Sequence, residues 1–436
     1  MRIGNRKNLA IMILFLFVPV FLLSGLSAIP FHPDETSVLY QSRDLELYLT
    51  NPALLFWNAS STSEKDQTYR LLNPPLPKYI LGLSRRIAGF GPEAVEVDWN
   101  WQQTWNENRE SGALPDRDLL NAGRVISASF LLLALIPLSL TARRLGGKSL
   151  VALVIVLFAT HALLLLHGRR AMSEGVLIFG VSLAIYGIIV ADERPALAGI
   201  GAALAVSSKL SVAPLLLVGF VACIWRGSAA TRNRNMLFRN IVIYSAAVVF
   251  VLLLLNPILW TNPVRVATEI LNARIEFLDT QIETIGLVSP DQILDSPLQR
   301  AAAMFYHLFI IPPQTAEVAN YIEATRPAVG AYLANPIHTF ARNWLAGTIY
   351  FFLCMAGVVF SLLRSKGAYR RRIVLLLFAT LLQALALLGA NPFPFQRYYL
   401  PIVPFIILWI AIGLQDLLRN VKQAAQEFRR PAIRST

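Results

Sequence analysis

Ten apolar runs organise this chain, at about residues 9–30, 121–141, 149–166, 173–190, 196–206, 210–225, 241–260, 344–363, 373–390 and 399–414. Most have the length that crosses a hydrocarbon core of about 30 Å. Lipid offers no partner to an open strand's backbone groups, so such runs must be helices. Composition agrees: 55% of residues are hydrophobic and 15% charged, whereas soluble domains carry about a quarter charged residues. An ordinary soluble enzyme is therefore excluded. A net charge of +13 would suggest nucleic acid in a soluble protein. In a membrane protein it asks which side carries the excess, and no nucleic-acid partner is expected.

Arg2, Arg6 and Lys7 before the first run would suit a cleaved signal peptide. Its apolar stretch exceeds the usual h-region and further spans follow, so an uncleaved span is favoured. At 196–225, Lys209 follows Ser207-Ser208 inside the apolar stretch, which reads either as one span with a buried lysine or as a hairpin. Charge favours the hairpin. Both termini then share a side, and the inner pieces 1–8, 142–148, 191–195, 226–240, 364–372 and 415–436 carry a net +17. The remainder carries −4, in accord with the positive-inside bias. The long segments 31–120 and 261–343 fall outside, with apolar pieces at Pro77–Ile87 and Met304–Ile311 suited to interfacial helices. The expected fold is an all-α integral membrane bundle of about ten spans, residues 1–415, with a short basic cytoplasmic tail at 416–436. Leu417, Leu418, Val421 and Phe428 give the tail an amphipathic character. No repeat stands out, and Cys223 and Cys354 sit inside apolar runs, leaving no cysteine-based metal site.

The chemistry-bearing residues cluster at the outer boundary. Phe31-His32-Pro33-Asp34-Glu35 follows the first span directly. Such a carboxylate pair is either a solvated loop start or a general base or metal ligand tuned by partial burial. Asn73-Pro74-Pro75-Leu76-Pro77-Lys78 gives an extended entry to a short apolar helix. Arg124 opens the second span. His167-Gly168-Arg169-Arg170-Ala171-Met172-Ser173-Glu174 links the third and fourth, and Arg397 and Tyr398 lie between the last two. Any one of these cations is an ordinary interfacial anchor. Together, Lys78, Arg124, Arg169, Arg170, Lys209 and Arg397 beside Asp34, Glu35 and Glu174 suit a surface that binds a lipid phosphate and activates an acceptor.

The same motifs, in order from about residue 9 to 415, resemble the polytopic GT-C glycosyltransferases, in particular the protein O-mannosyltransferase and aminoarabinose (lipid A) transferase superfamily. Further matches are Ser207-Ser208-Lys209-Leu210-Ser211, Asn256-Pro257-Ile258-Leu259-Trp260-Thr261-Asn262-Pro263 and Arg397-Tyr398-Tyr399-Leu400-Pro401. The resemblance implies a GT-C-like bundle and an inverting transferase that uses a polyprenyl-phosphate-linked sugar donor. Its site would face away from the cytoplasm, with a lipid, glycan or protein as acceptor. It makes Asp34 the general base with Glu35 as its neighbour, and Lys78, Arg124 and Arg397 ligands of the donor phosphate. Glu174 stands where many relatives have Asp, and Asn73 where the family commonly has His. A divalent metal is left open, with His32 and His167 as candidate ligands weighed against ordinary surface histidines.

The rival is a transporter or flippase of a lipid-linked sugar. It would show two related halves and ionisable residues near the bilayer centre, whereas these charges sit at span ends. A non-catalytic scaffold would not need acids and bases converging on one boundary. Membrane lipids are expected partners and the plasma membrane the expected location.

Overall fold

The structure is a computed structural model that describes residues 2–58, 64–225, 234–317 and 319–428, and every described element is helical. Parts of the basic segments assigned to the inner side, 226–233 and 429–436, lie outside the described residues. Among the described residues, five helical ranges are long and apolar enough to cross a membrane: Arg117–Ala159, Arg234–Leu255, Trp344–Arg364, Gly367–Ala390 and one within Gln396–Glu427. Shorter apolar helices, Met12–Leu23, Glu174–Ile189, Pro195–Val206 and Leu210–Ile224, account for the other runs.

The second and third apolar runs are two helices that meet within Arg117–Ala159, the chain breaking at Gly147 inside the expected link 142–148. Gly147 stands at φ 74°, a conformation glycine adopts at little cost. The expected hairpin is present. Helix Pro195–Val206 ends at a Ser207-Ser208 turn, Lys209 is extended, and helix Pro214–Ile224 packs back against it. The far ends of the two arms meet at one side chain: Arg371 contacts Asp192 Oδ1 at 2.9 Å and donates to the Trp225 carbonyl at 2.6 Å.

That meeting point belongs to a charged end of the bundle. Arg144 pairs with Glu193 at 2.8 Å, Arg372 reaches the same carboxylate, and Arg364 lies 3.3 Å from Asp416. Segments 142–148, 191–195, 364–372 and the last helix thus gather together, as positive-inside reasoning groups them. Single cysteines at position 230 and at exposed Asp295, in a background lacking Cys223 and Cys354, are expected to label from opposite sides of the membrane. Labelling from the same side would remove the hairpin topology.

Between the ends, helix Glu174–Ile189 packs against both Arg117–Ala159 and Pro195–Val206, and the core is aliphatic, with Leu135, Leu138, Val181, Ile185 and Trp409 fully buried. Close approach needs small residues. A Cβ on Gly413 would stand 2.0 Å from the Leu353 carbonyl oxygen, and one on Gly357 2.1 Å from that of Trp409. This is how the Trp344–Arg364 helix and the last helix pack backbone to backbone.

At the opposite end, two devices bring the second outer loop over the bundle. The guanidinium of Arg342 donates to the carbonyls of His307, Leu308 and Ile311, where a helical turn ends. Gln314 and Gln396 exchange backbone-to-side-chain bonds, with Gln314 N donating at 2.6 Å and Gln396 N at 3.1 Å. Segment 312–317 is therefore pinned beside the link before the last helix.

Candidate active site

The acidic motif is a helix start. His32 caps helix Pro33–Gln41: its Nδ1 accepts from Asp34 N at 3.1 Å, and Glu35 accepts from His32 N at 3.1 Å, a reciprocal capping box with proline at the first helical position. Because Nδ1 accepts, the neutral ring carries its proton on Nε2, which faces Glu317 Oε2 at 3.8 Å. Burial and the charges of Arg170 and Arg397 hold His32 well below the usual histidine range. Phe31 packs against Trp99 and Trp105, and His32 against Tyr321, so an aromatic wall fixes the motif.

The two carboxylates have different surroundings. Glu35 is fully buried and accepts from Arg124 Nε and Nη2, both at 2.8 Å, and from Ala171 N at 2.9 Å. Burial pushes its carboxyl up, but the charge and hydrogen bonds of Arg124 outweigh that and hold it below the usual range. Arg124 spends its remaining donor on the carbonyls of Leu26 and Ile29. Asp34 is different. Its side chain is 24% exposed and meets Arg397 Nη1.

From Arg397 the contacts run on. Its Nε lies 2.8 Å from Glu317 Oε2, and its guanidinium lies 5.4 Å from the Tyr398 ring. Lys209 is also 5.4 Å from that ring and 3.2 Å from Glu174 Oε1. Asp34, Arg397, Tyr398, Lys209 and Glu174, from four separate parts of the chain, thus form one continuous set.

The other cations stand elsewhere. Arg169 donates to the carbonyls of Leu165 and Ser24, and Arg170 to those of Pro30 and Thr315. Lys78 is buried at the start of helix Pro75–Ile87. Its ammonium donates to the Tyr69 carbonyl at 3.1 Å and lies 3.8 Å from Asp44, itself paired with Arg70. Burial lowers Lys78 to about 8.

Residues 59–272 match the family model described as dolichyl-phosphate-mannose-protein mannosyltransferase. Over this segment, just under half of the chain, the sequence is similar to that family. No curated protein matches. Among solved structures the chain is similar to the S. cerevisiae protein O-mannosyltransferase Pmt1-Pmt2 complex bound to the sugar donor, at 17% identity and a TM-score of 0.44, covering 58% of this chain and 33% of that one. It is also similar to ArnT from Cupriavidus metallidurans bound to undecaprenyl phosphate, at 11% identity and a TM-score of 0.50, covering 93% of this chain and 60% of that one. The chain therefore spans less than two thirds of either, and the second likeness speaks for the fold. The matched segment includes Lys78, Arg124, Arg169, Arg170, Glu174 and Lys209 but not Asp34 or Arg397.

Glu317 was not among the residues expected from the sequence. It is fully buried beside His32 and Arg397, delivered by the Gln314–Gln396 pairing. The one signal for it is Pro312-Pro313, just after an apolar piece, which forces an extended path. Among the described residues no group of three or more His, Cys, Asp or Glu side chains is placed to hold a metal ion. His32 and Glu317 would offer two donors between them, fewer than the three protein ligands of a catalytic zinc site.

Proposed function

We propose that the chain transfers a monosaccharide from a polyprenyl-phosphate-linked donor to an acceptor hydroxyl on the extracytoplasmic face of a membrane, with inversion. The observation that carries this reading is the difference in access among the charged groups. Asp34, Lys209 and Arg397 keep 24%, 23% and 13% of their side chains exposed; Asp34 meets Arg397, and Arg397 and Lys209 both lie against the Tyr398 ring. By contrast, Arg124, Lys78 and Glu35 are 3% exposed or less.

Asp34 accepts the hydroxyl proton as the acceptor oxygen attacks the anomeric carbon from the face opposite the phosphate. The carbon–oxygen bond to the phosphate breaks, and the charge left on the departing polyprenyl phosphate is met by Arg397 and Lys209. Arg124, Arg169 and Arg170, first expected as phosphate ligands, are reassigned as braces. Most of their donors are spent on Glu35 and on backbone carbonyls, which a phosphate would have to displace, while Arg169 Nη2 and Arg170 Nη1 are enclosed without a hydrogen-bond partner. Lys78 stays outside the donor contacts for the same reason. Glu35 orients Asp34 through the helix start and takes no proton.

Arg397→Ala is expected to raise the donor KM by about 10–100-fold, the cost of losing a charge-assisted contact, and to lower kcat as well, because the charge on the leaving phosphate loses its partner. Unchanged donor KM would remove the phosphate assignment. The reading as a whole is tested with purified protein and a panel of polyprenyl-phosphate sugars, by release of free polyprenyl phosphate. No release from any donor in the panel, with movement of the intact donor across the bilayer instead, would favour the flippase. Mass spectrometry of glycolipids and glycoproteins from cells lacking the gene identifies the acceptor.

A further inference from the structure

Glu317 stands unused in that chemistry, yet it touches the partner of the candidate base. Its side chain is 3% exposed, its Oε2 lies 2.8 Å from Arg397 Nε, and its Oε1 has no hydrogen-bond partner although fully enclosed. Arg397 Nη1 meets Asp34 on the other side. One guanidinium therefore faces two carboxylates brought from different elements, the start of helix Pro33–Gln41 and the second outer loop. We propose that Glu317 is a positioning residue that sets whether Arg397 is available to the donor phosphate: neutral, it leaves Arg397 to the donor, and ionised, it holds Arg397 back. This rests on the transfer reading above.

The groups facing Glu317 are His32 from the helix cap, Arg170 from the link at 167–172, Arg397 from the last link, Glu174 and Lys209, with the Tyr321 hydroxyl accepting from Glu317 N at 3.1 Å. Burial, aided by the charge of Glu174, raises the Glu317 carboxyl to about 8 against the opposing pull of Arg170 and Lys209. Below that pH the carboxyl keeps its proton, and Asp34 with Arg397 sums to zero charge. Above it the three groups carry −1. A donor phosphodiester bears one fixed negative charge throughout this range, so its binding weakens as pH rises past about 8.

The test measures kcat and donor KM from pH 7 to 9.5 with the full chain in detergent and a polyprenyl-phosphate monosaccharide. In the wild type, donor KM is expected to rise about tenfold across this range while kcat holds. Glu317→Gln carries no charge at any pH, and its KM should stay flat. Glu317→Asp should keep the rise, displaced along the pH axis. A flat wild-type profile overturns the proposal. So does a full rise in Glu317→Gln, which would belong to Lys78, lowered to about 8 by burial. If the Gln variant does not fold, the Asp variant decides: a displaced rise supports the proposal, and an unmoved or absent one overturns it. A wild type that binds no polyprenyl-phosphate sugar removes the transfer reading together with this one, whereas binding with the wrong pH behaviour removes this one alone.

Discussion

Asp34→Asn is expected to reduce sugar transfer by about 10²–10⁴-fold, the contribution of a positioned general base. The amide keeps the shape of the side chain and can still accept from Arg397, so the contact survives in weakened form. It cannot take the acceptor's proton at neutral pH. The helix start is unaffected, because the cap is made by His32 and Glu35 and the backbone N–H of Asp34 rather than by its side chain. The variant should therefore insert, purify and unfold thermally like the wild type while losing kcat. Full activity in a correctly folded Asp34→Asn protein would remove the base assignment. Loss of donor binding with kcat intact would move Asp34 to a binding role.

Arg124→Met should act on folding. Removing the cation leaves Glu35 ionised and fully buried with only backbone donors, and breaking a buried ion pair costs about 3–5 kcal/mol. The carbonyls of Leu26 and Ile29 lose their donor too, which loosens the end of the first span against the second. The variant is expected to unfold at a markedly lower temperature in detergent. Adding Glu35→Gln should recover part of the loss, since the uncompensated charge is then gone. The pair also sets an acid limit. Glu35 is held below its ordinary 4.5, so its contribution is complete above that pH and is lost as pH falls toward the lower folded-state value. No recovery in the double variant would show that the lost carbonyl contacts, not the charge, govern stability here.

The contrast between Asp34 and Glu35 shows how far local sequence reaches. Adjacent in the chain, they read as one acidic pair. The spacing of His32, Pro33 and Glu35 fits a helix entry, yet what separates the proposed base from its enclosed neighbour is Arg124, 89 residues further on. The arginines tell the same story. Arg124, Arg169, Arg170 and Arg397 share a charge and a boundary position, so sequence position ranks them alike. Their partners distinguish them: carbonyls about 95–145 residues away for the first three, and a half-open carboxylate for the last. Glu317 lies among many acids in a long polar loop and becomes special only when Gln314 and Gln396 pin that loop to the last link.

By itself the sequence determined the membrane class, the apolar helices and the reversal at Lys209. A bilayer imposes its rules along the chain: run length must match its thickness, backbone groups must be satisfied within helices, and cations favour one side. Each of these is a property of consecutive residues. Which carboxylate stays partly exposed and which is enclosed was decided by the tertiary structure alone, because desolvation and pairing depend on groups brought within about 4 Å from segments distant in sequence.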